Sequence, residues 1–131
     1  MTIKNFLYSY ISQEEEYDKG TVIIKEGSKG NWAFIILDGT AKVKKKTSKG
    51  IVTIDTLSEG DIFGEMILWQ TAQGTRTASV AAETKLRVGV LDTELLMKEY
   101  ESVSPRLKSL IGSLIQRLAT TTQRAVKLAV E

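Results

Sequence analysis

The residues best placed to do chemistry lie between positions 60 and 80, in GDIFGEMILWQTAQGTRTASV. Phe63, Gly64 and Glu65 open a short apolar run through Met66, Ile67 and Leu68; a polar loop follows, then Arg76, Thr77, Ala78 and Ser79. The run is too brief for a full helix and suits one turn. Glycine allows close backbone approach there, and free N–H groups at the start of a turn attract anions. Arg76 adds a fixed positive charge on a planar fork that matches phosphate oxygens. Glu65 would repel a phosphate unless it met hydroxyls, which a ribose edge supplies. The set describes a pocket for a nucleotide with one phosphate and a free ribose hydroxyl.

Composition excludes most alternatives. The chain contains no Cys, which removes disulfides, thiolate nucleophiles, iron–sulfur clusters and thiolate-held haem. It contains no His, the usual general base and the commonest metal ligand. Binding, not catalysis, is the expected chemistry, with no metal and no cofactor. A net charge of +2 is too small to argue for nucleic acid. No apolar run approaches a membrane span and no signal-peptide pattern opens the chain, so the expectation is cytoplasmic. The 131 residues suit one domain with a sizeable core.

The elements that must hold the pocket are legible from periodicity. Ile3, Phe6, Leu7, Tyr10 and Ile11 fall at helical spacing, which predicts an N-terminal helix within residues 1–14. Glu14 to Glu16 read as a solvated acidic connection. Glycines then punctuate short runs rich in Val, Ile and Thr, at Thr21–Lys25, Trp32–Leu37, Thr40–Thr47 and Ile51–Leu57, with Ala78–Ala82 and Leu86–Leu91 closing the series. This texture predicts an all-β sandwich or barrel over residues 15–92. Asp38-Gly39 between two apolar runs predicts a tight hairpin. Lys44 to Lys46 and Lys49 flank a second hairpin turn, where lysines guard a solvated strand edge. Asp92 or Thr93 caps a helix to about Glu101, and Pro105 opens a longer one to about Leu128. Leu107, Ile111, Leu114, Leu118, Thr121, Ala125 and Leu128 alternate four and three apart, as in a helix seam that pairs with a partner. Leu110 and Ile115 add a second apolar strip.

The stretch 62–80 resembles the phosphate-binding cassette of the cyclic nucleotide-binding domain family, which includes the ligand domains of catabolite activator proteins and of protein kinase A regulatory subunits. That signature runs roughly F-G-E-x-[AGS]-L, a loop, then R-[STA]-A-[ST]; its positions fall here on Phe63 to Leu68, with Ile67 at the small-residue position, and on Arg76 to Ser79. The segments GTVIIKEGSKGNWAFIILDGTAKV and LSEGDIFGE are similar to the family's opening strands and its approach to the cassette. The resemblance implies an antiparallel β jelly-roll barrel with flanking helices and cAMP or cGMP as ligand. It implies that Glu65 accepts from the ribose 2′-hydroxyl, that Thr77 reaches the phosphate or a guanine amino group, and that Val43 and Leu57 wall the base. RLATTTQ resembles the family's final helix, which implies that Thr121 and Thr122 face the base and that the helix pairs two subunits or engages a separate effector. Metal-binding cupins share a related barrel but rely on several His, so this chain cannot build their site. No helix-turn-helix domain is expected after residues 93–131. The alternative is a degenerate domain that binds no nucleotide and serves as an interaction or dimerisation module, because Ile67 stands where the family prefers Ala, Gly or Ser.

Overall fold

A computed structural model describes residues 8–30, 32–64 and 78–130 of the chain. The short Val-, Ile- and Thr-rich runs become strands: β1 (Ile11–Tyr17), β2 (Val22–Ile24), β3 (Ala33–Asp38), β4 (Ala41–Thr47), β5 (Gly50–Leu57), β6 (Ile62–Phe63), β7 (Ser79–Ala82) and β8 (Leu86–Leu91). They form two four-stranded antiparallel sheets, ordered β1-β8-β3-β6 and β2-β7-β4-β5. Together they give a mainly β domain followed by two helices. The pairs β1·β8, β2·β7, β3·β6 and β4·β5 show how the chain folds back, its first strand meeting its last and its middle two meeting each other.

Period-2 alternation explains the core. Phe34, Ile36, Phe63, Leu86, Val88 and Val90 from one sheet face Ile24, Ala41, Leu57, Val80 and Ala82 from the other in a single buried cluster. Burying a side chain of this size stabilises by roughly 1.5–3 kcal/mol. The first sheet is also covered on its outer face, where Ala33, Ile35 and Leu91 pack against Tyr10, Ile11 and Leu96. Burial on both faces is why AFIIL and LRVGVL carry almost unbroken apolar runs while β4 and β5 alternate. Gly89 provides the space for Ile11, since a Cβ there would stand 2.7 Å from its Cδ1 and Cγ1 atoms.

Three expectations change. The helix predicted to reach Ile11 gives way to β1 from that residue onward, and Glu14 to Glu16 are strand, not connection. Their backbone pairs with Gly89, Val88 and Arg87 of β8, and a partner strand overrides the poor β-propensity of Glu. The remainder of that predicted helix, residues 1–7, lies outside the described residues. The expected barrel is two sheets without closure, because among the described strands β1 and β6 are not joined to β2 or β5. Finally, Asp38-Gly39 makes no hairpin, since β3 and β4 belong to different sheets. Gly39, at φ 96°, instead turns a corner, beside the β7–β8 corner that crosses back. The two corners are tied by hydrogen bonds from Glu83 N to Thr40 O (2.9 Å) and from Thr40 N to Thr84 Oγ1 (3.1 Å). The second predicted hairpin is present, with β4 and β5 paired from Ala41↔Leu57 to Thr47↔Gly50.

Among the described residues, two helices follow the strands. Asp92 caps α1 (Thr93–Glu101), its carboxylate accepting from Leu95 N at 3.0 Å. Ser104 caps α2 (Pro105–Val130), accepting from Leu107 N at 3.3 Å. Helix α2 lies against β4 and β5. Its half-buried positions include Ile111, Ile115 and Ala119, whereas Leu107, Leu110 and Leu114 are exposed. The two predicted strips are therefore divided differently: Ile111 joins Ile115, and Leu110 joins Leu107 and Leu114. Among the described residues, no helix is long and apolar enough to cross a membrane.

Tyr17 gives this β-sheet core an alkaline limit. Burial against the core, then its hydrogen bond to the Glu15 carboxylate, pushes the phenol up to about 12 from an ordinary 10.0. A raised value means that the folded state holds the proton more tightly. The resulting stability is complete below pH 10.0 and is lost as pH rises toward about 12. Spectrophotometric titration is expected to show the Tyr17 phenolate only near that upper value, and Tyr17→Phe is expected to flatten the stability profile between pH 10 and 12.

Candidate functional site

The described ends of the two motif halves are carried by different sheets. On the first, Ser58 to Asp61 form a turn in which Ser58 N donates to Asp61 Oδ2 at 2.9 Å and Gly60 adopts φ 90°. Gly60 N donates to Ile36 O at 2.8 Å and Ile36 N to Asp61 O at 2.9 Å, which locks the turn to β3. The two residues of β6 then pair with Phe34 and Ile35. Phe63 is buried and stacks on Phe34, with ring centroids 5.0 Å apart and an interplanar angle of 17°. The next residue, Gly64, takes φ 80°, in the left-handed region that favours glycine. The aromatic anchor and the positive φ together set the direction in which the chain leaves the first sheet.

The return is on the second sheet. Ala78 is half-buried and leads into β7, whose first residue, Ser79, pairs with Lys44. Val80 follows in the same core cluster as Phe63. The chain between Gly64 and Ala78 thus leaves one sheet and returns on the other, with both ends seated on a shared core. Glu65, Met66, Ile67, Arg76 and Thr77 lie outside the described residues.

Of the remaining predicted residues, Leu57 is buried in the core between the sheets and Val43 packs half-buried against it. Thr121 is exposed on α2, and the side chain of Thr122 lies outside the described set. The structure brings Phe63, Leu57 and Val43 to one core.

One residue beside the site was missed by local sequence reasoning. Glu26, in the loop after β2, donates its backbone N–H to Ser79 Oγ at 2.8 Å. Its carboxylate accepts from Lys46 N at 2.9 Å and pairs with Lys45 Nζ at 3.0 Å. Burial alone would push the pKa of this carboxyl up, but the Lys46 N–H and the ammonium of Lys45 outweigh it and hold the group below the usual glutamate range. No local pattern signals these contacts, because the partners are 20 and 53 positions away.

Comparison with known proteins places this arrangement. A family profile described as the cyclic nucleotide-binding domain matches residues 14–102. A cAMP-dependent protein kinase regulatory subunit of Mycosarcoma maydis is 32% identical over 110 residues, which cover 82% of this chain and 19% of that protein. Rap guanine nucleotide exchange factor 3 of Rattus norvegicus is 32% identical over 126 residues, covering 95% of this chain and 13% of that protein. Among solved structures, the cAMP-bound form of the EAL enzyme Bd1971 superposes with a TM-score of 0.74 at 28% identity, covering 88% of this chain and 31% of the other. A cyclic nucleotide-binding domain from Methylobacillus flagellatus superposes with a TM-score of 0.66 at 27% identity, covering 95% of this chain and 69% of that one. The chain spans about a fifth of the length of the kinase-subunit relatives it matches. The profile match extends over both motif halves and most of the chain, which therefore belongs to the cyclic nucleotide-binding domain family.

Proposed function

We propose that this domain is a regulatory module that binds cAMP or cGMP and performs no catalysis. In this reading Arg76 and the backbone N–H groups of Gly64 to Ile67 neutralise the cyclic phosphate, whose burial would otherwise be costly. Glu65 accepts from the ribose 2′-hydroxyl, Thr77 reaches the phosphate or a guanine amino group, and Ala78 keeps the returning strand close. Val43 and Leu57 provide apolar surface toward the base, with Thr121 and Thr122 offered by α2. The strand pairing, first with last and middle with middle, supports a jelly-roll assignment for the β domain. The observation that carries the reading is the ordered pair of motif halves, F-G-E and R-T-A-S, whose described ends sit on facing sheets around one core. Similarity to the cAMP-bound form of Bd1971 supports the same ligand class. Isothermal titration of the purified protein with both nucleotides tests it. Saturable heat is the expected result, and a folded protein giving no heat at millimolar ligand overturns the reading.

We further propose a cytoplasmic setting and an output through α2, either to a second copy of this chain or to a separate effector. Leu107, Leu110 and Leu114 are 46%, 56% and 55% exposed and fall within two turns of the helix, an apolar strip suited to a partner helix. Leu114→Glu is expected to convert a dimer to a monomer by light scattering without loss of the folded β domain. A wild-type protein that is already monomeric at high concentration removes the homodimer.

The same exposed strip favours a second reading, in which the domain has lost its ligand and keeps only the interaction surface; Ile67, a bulky residue beside the expected phosphate, argues for it. The titration decides between the two.

A further inference from the structure

We propose that Glu26 is a positioning residue for the nucleotide pocket, tying the strand that leaves the cassette to the outer half of the β4–β5 hairpin. The inference rests on the ligand-binding reading above and names a device that reading does not need.

The reasoning begins with the sheet. β7 pairs with β4 only from Ala41↔Ala82 to Lys44↔Ser79, because β7 starts at Ser79. Beyond Lys44, β4 continues through Lys45, Lys46 and Thr47 without β7 beside it. The Glu26 carboxylate accepts from the Lys46 N–H at 2.9 Å, two residues past the last β4–β7 pair. The same carboxylate meets Lys45 Nζ at 3.0 Å, so the contact carries charge as well as geometry. On its other side, the Glu26 backbone N–H donates to Ser79 Oγ at 2.8 Å.

Three bonds from one residue therefore converge where the described β4–β7 pairing ends. Ser79 is the third residue after Arg76. Arg76 is joined to Ser79 through only two intervening residues, and a small misplacement is enough to weaken a charge-assisted, bidentate contact. A neutral or shorter side chain at position 26 has distinct, separable consequences. Glutamine keeps an acceptor of the same reach for the Lys46 N–H and loses only the ion pair. Alanine loses both, and aspartate keeps the charge but falls one methylene short.

The test has a ligand-free arm and a ligand arm. In ligand-free protein, the Lys46 amide is expected to exchange slowly with deuterium in the wild type and in Glu26→Gln. In Glu26→Ala it is expected to exchange about threefold to tenfold faster, the equivalent of one lost hydrogen bond. In titrations with cAMP and cGMP, Glu26→Ala is expected to bind about threefold to tenfold more weakly, with Glu26→Gln restoring affinity to within about twofold. If Glu26→Ala does not fold, Glu26→Asp is expected to show the same loss. A Lys46 amide equally protected in the wild type and in Glu26→Ala overturns the tie itself. Affinity unchanged in Glu26→Ala or Glu26→Asp overturns the positioning role while leaving the pocket standing. Failure of the wild type to bind either nucleotide overturns the pocket, and this role with it.

Discussion

Replacing Arg76 by alanine is expected to weaken binding of cAMP and cGMP by one to two orders of magnitude while leaving the far-UV circular dichroism unchanged. A cyclic phosphodiester carries one negative charge, and its transfer into the pocket has to be offset by donors already in place. Hydrogen bonds to a charged group contribute about 1.5–3 kcal/mol, against about 1.4 kcal/mol for each factor of ten in affinity. The competing view makes Arg76 an exposed ion-pair partner worth about 0–1 kcal/mol of stability, and it predicts no effect on ligand affinity at all. The two magnitudes are far enough apart for a single titration series to separate them. Equal affinity in the mutant and the wild type would place the phosphate elsewhere in the chain. Lysine at this position is expected to recover only part of the loss, since an ammonium supplies charge without the planar fork.

Gly39→Ala is expected to be strongly destabilising. Two costs coincide there. The backbone sits at φ 96°, where an L side chain costs roughly 1–2 kcal/mol. A Cβ would also stand 2.3 Å from the Lys85 carbonyl oxygen, 2.9 Å from Thr84 Oγ1 and 3.2 Å from the Leu86 Cα. The first and last of these belong to the backbone of the neighbouring corner, which cannot rotate away, and Leu86 is fully buried. Overpacking of this kind adds roughly 1–3 kcal/mol. Together the terms reach about 2–5 kcal/mol, a large part of the stability of an ordinary domain, and thermal denaturation is expected to fall by roughly 10 °C or more. Gly50→Ala is the control. Gly50 has φ 102°, yet nothing lies within 4 Å of its added Cβ, so only the conformational cost applies. If the two variants denature at the same temperature, the paired corners are not packed as described.

The Gly39 comparison also shows where reading the chain residue by residue succeeds and where it stops. Asp38-Gly39 marks a reversal because a positive φ is a property of one residue, and that much was correct. Whether the reversal joins neighbouring strands or carries the chain from one sheet to the other depends on Thr40, Glu83 and Thr84 meeting across more than forty positions. The hairpin between β4 and β5 was legible because its turn, its lysine-rich flanks and its pairing are all local. Glu14 to Glu16 were misread for the opposite reason. Their side chains argue against a strand, and only the waiting edge of β8 makes one.

The candidate site divides along the same line. Its proposed chemistry is read from residue types and spacing: a glycine to let the backbone approach, an arginine to neutralise a phosphate, a carboxylate to meet hydroxyls. Strand limits and helix starts at Asp92 and Pro105 were equally determined by the chain itself, since alternation, caps and proline act over a few residues. The tertiary structure alone decided that Gly64 departs from one sheet and Ala78 arrives on the other, and that Glu26 meets both Ser79 and Lys46. Those are relations between segments distant in sequence, set by which apolar faces bury each other and by backbone groups that must find partners once the faces meet.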